Sequence, residues 1–196
     1  MARSGMSNLI TELRGYTEAG TAEYTISGTS YWSDDQLQDV LDIHRNDVIF
    51  EQLQIYPVQV SGGSISYQDY RSEKGYYEAT TGGTSILYIQ DGTGANIGTA
   101  NYTADYRRGQ FQFSADQGGS TYYLTGRSYD LNAAAADIWR RKAGHAAQGF
   151  SFSTDNHRVD RAQVYKHYNE MAEMYESMGQ QSITTLQVWR SDTDAV

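Results

Sequence analysis

Apolar residues recur at helical spacing in the first fifty positions of the chain, and this pattern predicts two helices. The first lies within residues 7–15. The second begins after Ser33, whose hydroxyl can cap the backbone amide of Gln36 while the Gln36 side chain reaches back, and it ends between residues 47 and 50. The predicted buried stripes are Leu9, Ile10 and Leu13 in the first helix and Leu37, Val40, Leu41 and His44 in the second.

From Gln52 the period changes from helical to alternating, and it stays so to about residue 127. Short runs rich in Tyr, Ile, Val and Phe alternate there with glycine-containing turns. This arrangement predicts an antiparallel β module of five or six strands. Pro57 cannot donate a ladder hydrogen bond, so its strand is expected at a sheet edge or at a bulge.

Two longer helices are predicted near the C-terminus, and their short connection predicts an antiparallel helical hairpin. The first runs from Asp130, whose carboxylate can cap its first turn, to residue 148, and its alanine run lets another backbone approach closely. The second, within residues 157–178, carries Tyr and Met at spacings of three and four, which is typical of a narrow apolar seam. The residues predicted to pack these helices are Ala134, Ala135, Ile138, Tyr168, Met171 and Tyr175.

These patterns together predict an α+β fold class. The expected fold is a helical bundle, made of two N-terminal helices and the long C-terminal helical hairpin, with an inserted antiparallel β module and an extended C-terminal arm. A chain of 196 residues is long enough for one such domain with an insert. The predicted parts are residues 1–51 for the N-terminal helices, 52–127 for the β module, 128–179 for the hairpin of the same helical core and 180–196 for the arm.

The segment after Gly179 is rich in apolar residues that favour strands, and no partner strand for it is evident within the chain. We expect an arm that orders against a neighbouring subunit, with Trp189 as its anchor. The alternative is a tail that folds back on its own subunit. The predicted interface residues of the arm are Ile183, Leu186, Val188 and Trp189.

Composition excludes several classes of protein. A formal net charge of −9 argues against wrapping a nucleic-acid backbone, which needs clustered Lys and Arg. The absence of cysteine excludes disulfides, thiolate zinc sites and cysteine nucleophiles. No apolar run approaches the ~20 residues that cross a bilayer, and the N-terminus lacks the apolar stretch of a secretory signal. We therefore expect no membrane partner and synthesis in the cytoplasm.

Candidate chemistry is sparse along the chain. The four histidines are His44, His145, His157 and His167. Their spacing matches no HExxH pattern, so we interpret them as helix-surface or core residues and not as metal ligands. Arg140, Arg141 and Lys142 form the densest basic run of the helical part, for which a salt-bridged or solvated face is favoured over DNA contact. We predict neither an enzyme nor a cofactor or metal site.

Four stretches carry a resemblance to a known family. They are YWSDDQLQDVLDIHRND at 31–47, YTADYRRGQFQF at 102–113, YDLNAAAADIWRRKA at 129–143 and FSFSTDNHRVDRAQVYKHYNEMAEMY at 150–175. Together they resemble the head–tail adaptor proteins of tailed bacteriophages, also called connector or head-completion proteins. These motifs are patterns of packing and carry no catalytic signature.

The resemblance implies a structural virion protein of the neck, between capsid and tail. It implies a ring homo-oligomer, a dodecamer, that sits beneath the portal protein and offers a platform to the next neck or tail protein. DNA would pass through the ring without specific binding, which agrees with an acidic chain. The arm would reach toward the portal. The alternative function is a β-rich, tail-associated recognition module that binds a glycan or a receptor.

Overall fold

Two four-stranded antiparallel sheets and four helices form the framework of the structure, a computed structural model that describes residues 1–60, 62–80, 86–148, 152–154, 157–159 and 161–179. The helices are α1 (Ser7–Thr17), α2 (Asp34–Ile43), α3 (Leu131–Ala147) and α4 (Arg161–Gly179). The strands are β1 (Tyr24–Ile26), β2 (Thr29–Tyr31), β3 (Arg45–Gln52), β4 (Gln54–Gln59), β5 (Ile65–Arg71), β6 (Tyr88–Asp91), β7 (Asn96–Ile97), β8 (Tyr102–Asp105), β9 (Gln110–Phe113), β10 (Tyr122–Tyr129), β11 (Phe152–Thr154) and β12 (His157–Val159).

The two larger sheets share one apolar core. The first has the strand order β3-β10-β6-β7 and the second β4-β5-β9-β8. Aromatic rings link them, since Phe113 of β9 lies 5.0 Å from Tyr70 of β5 and 4.8 Å from Tyr122 of β10, measured between ring centroids. The sheets therefore pack face to face. The buried residues of this core are Val48, Leu53, Tyr70, Tyr77, Leu87, Ile89, Phe111, Phe113, Tyr122 and Leu124.

A second apolar core lies among α1, α2 and α3. α4 runs antiparallel to α3, because the Tyr168 ring lies 5.3 Å from the Trp139 ring while Gly179 lies beside Asp130 at the start of α3. Tyr175 of α4 also packs against this core. Its buried residues are Met6, Leu9, Ile10, Leu13, Ala19, Trp32, Leu37, Val40, Leu41, Tyr129, Leu131, Ala134, Ala135 and Ile138.

The predicted fold class, a helical bundle with an inserted β module and a long C-terminal helical hairpin, is wrong. Twelve strands accompany four helices among the described residues, and the sheets reach into the segments predicted as helical. β3 starts at Arg45, inside the predicted second helix, and β10 ends at Tyr129, next to the Asp130 cap of α3. The connection between α3 and α4 holds the strand pair β11–β12, where the second helix of the hairpin was expected to begin.

Strand pairing explains why α2 ends earlier than its sequence pattern predicts. β3 pairs with β10. Arg45 lies opposite Tyr129 at one end of this ladder, and Gln52 lies opposite Tyr123 at the other. This ladder satisfies backbone groups that a longer helix would otherwise have satisfied. His44, predicted on the buried stripe of the helix, is instead the residue that follows its last turn.

Local capping and edge predictions are confirmed. Ser33 Oγ accepts a hydrogen bond from the Gln36 amide, and the Gln36 side chain accepts one from the Ser33 amide. Asp130 caps α3 by accepting a hydrogen bond of 2.9 Å from the Ala133 amide. Pro57 lies at a register irregularity in β4, which is an edge strand. These features depend on residues close in sequence, which is why the sequence predicts them.

Replacing Ala135 by leucine is expected to lower the free energy of unfolding by about 1–3 kcal/mol, because the larger side chain overpacks a dense core. Ala135 has no exposed surface. Ala147→Leu is the matched control, since Ala147 is exposed near the end of the same helix and should change the free energy by less than about 0.5 kcal/mol. Urea unfolding followed by tryptophan fluorescence measures both variants. Equal stability of Ala135→Leu and wild type would contradict the prediction.

Candidate assembly surface

Two edge strands follow one another along the chain. Within the described residues, β3 pairs only with β10 and β4 pairs only with β5. Leu53, the single residue between them, is buried, and its N–H donates a hydrogen bond of 2.9 Å to the Tyr122 carbonyl oxygen. The chain thus passes from the edge of one sheet directly to the edge of the other. We call residues 45–60 the β3–β4 edge.

A bulge in β3 turns two apolar side chains outward. Ile49 and Phe50 together oppose Thr125 of β10, where the ladder changes register. Phe50 has a φ of 51°, in the left-handed region, and its N–H donates to Thr125 Oγ1 at 3.1 Å. The Phe50 ring stacks on Tyr123 at 4.1 Å yet stays 44% exposed, and Ile49 is 79% exposed. Bulges are known to re-aim side chains at sheet edges, and strained backbone concentrates at functional sites.

The β4–β5 hairpin carries further exposed apolar side chains. Its turn is closed by a hydrogen bond of 2.9 Å from the Val60 N–H to the Ser64 carbonyl oxygen. Many edge strands carry charged residues that prevent pairing with other chains, whereas this one exposes apolar side chains. A cluster of exposed large apolar residues indicates an interaction surface. The exposed apolar residues of the hairpin are Tyr56, Val58, Val60 and Ile65.

A second set of exposed apolar side chains lies on α4. Tyr165, Met174 and Met178 are exposed, although the same helix packs its Ala172 side chain against the rest of the molecule with only 2% exposure. Tyrosine and methionine are both enriched at protein interfaces, where they provide adaptable contact area. α4 therefore offers a surface of the same chemical character as the β3–β4 edge.

The residues predicted to pack the helices lie at the centre of the helical side of the molecule. Ala134, Ala135 and Ile138 have no exposed surface. Tyr168, Met171 and Tyr175 are partly buried, and the Tyr175 ring stacks on Tyr16 of α1 with a centroid separation of 5.7 Å. The predicted arm residues, Ile183, Leu186, Val188 and Trp189, lie outside the described residues.

The basic run of α3 is paired with carboxylates. Arg140 forms a salt bridge with Glu176 of α4, and Arg141 forms one of 2.9 Å with Asp137 one turn earlier. Lys142, the third member, is buried. The predicted salt-bridged helix face is therefore confirmed for the two arginines.

The histidines that the structure describes in full are dispersed. His145 of α3 stacks on Tyr24 at 4.0 Å, and His167 of α4 lies with its ring 6.2 Å from Trp139. His44 follows α2, and His157 is in β12. A search of the described residues finds no group of three or more His, Asp or Glu that could hold a metal ion. In the same residues, no helix has the length and apolar character needed to cross a membrane.

An ionic cluster holds the N-terminal residues against the fold. Arg3 donates to both carboxylate oxygens of Asp42, at 2.9 and 2.6 Å, to Glu78 Oε1 at 2.9 Å and to the Tyr129 hydroxyl at 3.0 Å. Burial acts to raise the pKa of Asp42, but the hydrogen bonds and charge of Arg3 outweigh it and lower that pKa. Each of these groups is satisfied by another, which indicates a structural role.

The pairing of Asp42 predicts a loss of stability in acid. A carboxyl group with a depressed folded-state pKa contributes stability above its unfolded pKa, about 4, and this contribution disappears as pH falls through the folded value. Urea midpoints measured through this range should therefore fall less steeply for Asp42→Asn than for wild type. Parallel acid profiles of the two proteins would contradict this role of Asp42.

Reasoning from sequence missed the β3–β4 edge as a surface. The apolar run from Val48 to Phe50 directly follows a helical stripe, so periodicity predicts that it ends that helix. The signal that could have identified it is the run itself, because three consecutive β-favouring residues do not fit helical spacing. Its exposure depends on the bulge opposite Thr125, far away in sequence.

Comparisons of the chain with protein-family models, with curated proteins and with solved structures found no match. The candidate site is therefore defined by its own geometry, as an apolar sheet edge suited to contact with another protein chain.

Proposed function

We propose that this protein is a structural subunit of a bacteriophage neck, which assembles into a ring between the capsid portal and the tail. The ring serves as a conduit for DNA and as a docking platform for the next neck or tail protein. The observation that carries this proposal is the β3–β4 edge, which exposes apolar side chains beside a strand edge that no other described residue pairs with. In a monomer such a surface promotes aggregation, whereas in a subunit of a larger assembly it is buried against a neighbour.

A closed ring needs two different, complementary surfaces on each subunit. The β3–β4 edge supplies one of them. The exposed Tyr165, Met174 and Met178 of α4 supply a second apolar surface that an edge of the next subunit can cover. Two distinct apolar surfaces favour head-to-tail contacts over a two-fold dimer, in which a single patch would contact itself.

Electrostatics agree with DNA passing through the ring without specific binding. The chain carries a formal net charge of −9, and tight contact with phosphates requires unpaired Lys and Arg in clusters. Arg140 and Arg141, in the densest basic run of the helical part, have carboxylate partners. The resemblance of four sequence stretches to head–tail adaptors supports the portal and a tail-side protein as the neighbours of the ring.

The double variant Ile49→Thr with Val58→Thr tests the proposal. Threonine keeps the β propensity of both strands but removes apolar surface that association would bury. We expect wild type to form rings, seen by light scattering after gel filtration and by negative-stain imaging, alone or with the portal protein. The double variant should dissociate at protein concentrations at least about tenfold higher than wild type, because each buried CH₂ contributes about 0.8 kcal/mol.

Gln59→Thr is the matched control, since it introduces the same residue into β4 without removing an exposed apolar side chain. It should form rings as wild type does. A wild-type protein that stays monomeric both alone and with the portal would refute the ring. Rings that persist unchanged in the double variant would place the subunit contact elsewhere on the surface.

A further inference from the structure

The outer face of the second sheet carries a concave polar surface with a volume of about 300 Å³. Phe111 of β9 and Tyr70 of β5 point to the apolar core, so their sequence neighbours point to the opposite face. Six polar side chains cover that face in two rows, which we call the polar grid. One row is Asp69, Gln112 and Thr103, and the other is Arg71, Gln110 and Asp105, each in cross-strand register from β5 through β9 to β8.

Most of the polar grid has no partner within the protein. Asp105 accepts hydrogen bonds of 3.1 Å from the backbone N–H groups of Arg107 and Arg108. Among the described residues, the other five side chains form no hydrogen bond or salt bridge. Polar side chains on the open face of a sheet are ordinarily hydrated, but here they line a concavity, where a single ligand can contact several of them at once.

Arg71 is held in place at one edge of the polar grid. Its guanidinium carbon lies 4.1 Å from the centroid of the Tyr56 ring, which holds the group flat. Its Nε atom is buried and has no hydrogen-bond partner among the described residues. Because this atom has almost no surface accessible to solvent, a bound molecule cannot reach it, and Arg71 contributes to the site through its charge and its fixed position.

The charges of the polar grid select the class of ligand. Arg71 and Asp69 contribute opposite charges, and Asp105 has its own partner in Arg108, whose Nε lies 4.0 Å away, so the face carries no excess positive charge that would favour an anion such as phosphate. Arg71 beside Asp69 disfavours a metal ion. The amides of Gln110 and Gln112 each donate and accept hydrogen bonds, as sugar hydroxyl groups also do.

We propose that the polar grid binds a neutral saccharide. Three neighbouring strands and two rows give a surface of about 10 Å by about 7 Å, which accommodates one or two sugar rings. The side chains of Gln110, Gln112 and Thr103 exchange hydrogen bonds with ring hydroxyls. Among the described residues, the polar grid meets the β3–β4 edge where Arg71 stacks on Tyr56, and none of its six side chains belongs to that edge, so saccharide binding and ring assembly are measured separately.

The test titrates the intact protein with glucose, galactose, mannose, N-acetylglucosamine and their disaccharides, and with inorganic phosphate, using ligand-observed NMR and calorimetry. We expect at least one saccharide to bind wild type. The double variant Gln110→Ala with Gln112→Ala should weaken that binding by at least about tenfold, which corresponds to one or two lost hydrogen bonds. Gln59→Ala, a glutamine of the same sheet outside the polar grid, is the matched control and should bind as wild type does.

Unchanged thermal melting of the variants shows that a loss of binding is not a loss of fold. Three results would overturn the proposal. The first is the absence of binding by every saccharide, and the second is saccharide binding that the double variant retains in full. The third is binding of phosphate in preference to all the saccharides. Ring formation is measured on the same samples. A protein that forms rings but binds no saccharide overturns the saccharide proposal and leaves the neck proposal standing.

Discussion

Glu78→Ala is expected to lower the free energy of unfolding by about 3 kcal/mol, because it removes the buried anion from an ionic cluster. The Glu78 side chain has no exposed surface. Its Oε1 accepts from Arg3 Nε at 2.9 Å, and its Oε2 accepts from the Tyr129 hydroxyl at 2.7 Å and lies 3.6 Å from Arg127 Nη1. Alanine leaves Arg3 Nε and the Tyr129 hydroxyl without this acceptor, and the positive charges lose a compensating carboxylate.

The same contacts tie distant parts of the chain together. Arg3 precedes α1, Glu78 follows β5, and Tyr129 ends β10. The Glu78 amide also donates a hydrogen bond of 2.9 Å to the Arg127 carbonyl oxygen, so the backbone of this segment is fixed independently of its side chain. We therefore expect Glu78→Ala to fold but to melt earlier, with loosened attachment of the N-terminal residues measured by hydrogen exchange.

Glu73→Ala is the matched control, because it also removes a carboxylate from the segment that follows β5. Glu73 is exposed and, within the part of the chain that the structure describes, accepts a single long hydrogen bond, 3.3 Å, from Gln54. Its removal should change the free energy of unfolding by no more than about 0.5 kcal/mol. Urea unfolding monitored through the buried Trp32 compares the two variants. If both carboxylates prove equally dispensable, the cluster around Glu78 does not stabilise the fold.

The features that the sequence predicts correctly are those decided by residues close along the chain. Ser33 and Gln36 cap α2, and Asp130 caps α3, because each partner is three residues away. Pro57 marks an edge strand for a similar reason, since the missing N–H is a property of the residue itself. Periodicity also locates the buried stripe of α1 at Leu9, Ile10 and Leu13, although it does not locate the ends of the helices.

The features that the sequence does not predict depend on pairing between distant segments. Whether residues 45–52 continue a helix or form β3 is decided by β10, which lies more than seventy residues later. The outward rotation of Ile49 and Phe50 requires the bulge opposite Thr125, which no local pattern encodes. The error in the C-terminal part has a different cause, since the helix predicted from residue 157 covers β12, which pairs with the neighbouring β11 in a short hairpin.

The environment of Lys142 in the fold differs from the exposed, basic environment that its sequence neighbours suggest. In sequence it is one member of a basic run, whereas in the structure its side chain is buried, with 3% exposure. Its Nζ atom donates a hydrogen bond of 2.8 Å to the Thr17 carbonyl oxygen at the end of α1 and pairs with Glu23 Oε2 at 2.7 Å. The ammonium also lies 4.9 Å from the centroid of the Trp139 ring. The side chain therefore joins α3 to the C-terminal end of α1, where a cation is favourable.

Lys142→Ala is accordingly expected to lower the free energy of unfolding by about 3 kcal/mol, since it breaks a buried ion pair and leaves the Thr17 carbonyl without its donor. Lys166→Ala is the matched control, because Lys166 is exposed on α4 and among the described residues its only salt bridge is to Glu170 at 3.6 Å, which predicts a change below about 0.5 kcal/mol. Lys142→Met separates the two contributions of the side chain, since methionine keeps an apolar stem beside Trp139 but removes the charge. Urea unfolding should place the methionine variant close to the alanine variant if the ammonium stabilises the junction. Recovery of wild-type stability by methionine would show that packing of the stem, and not the ion pair with Glu23, holds α1 against α3.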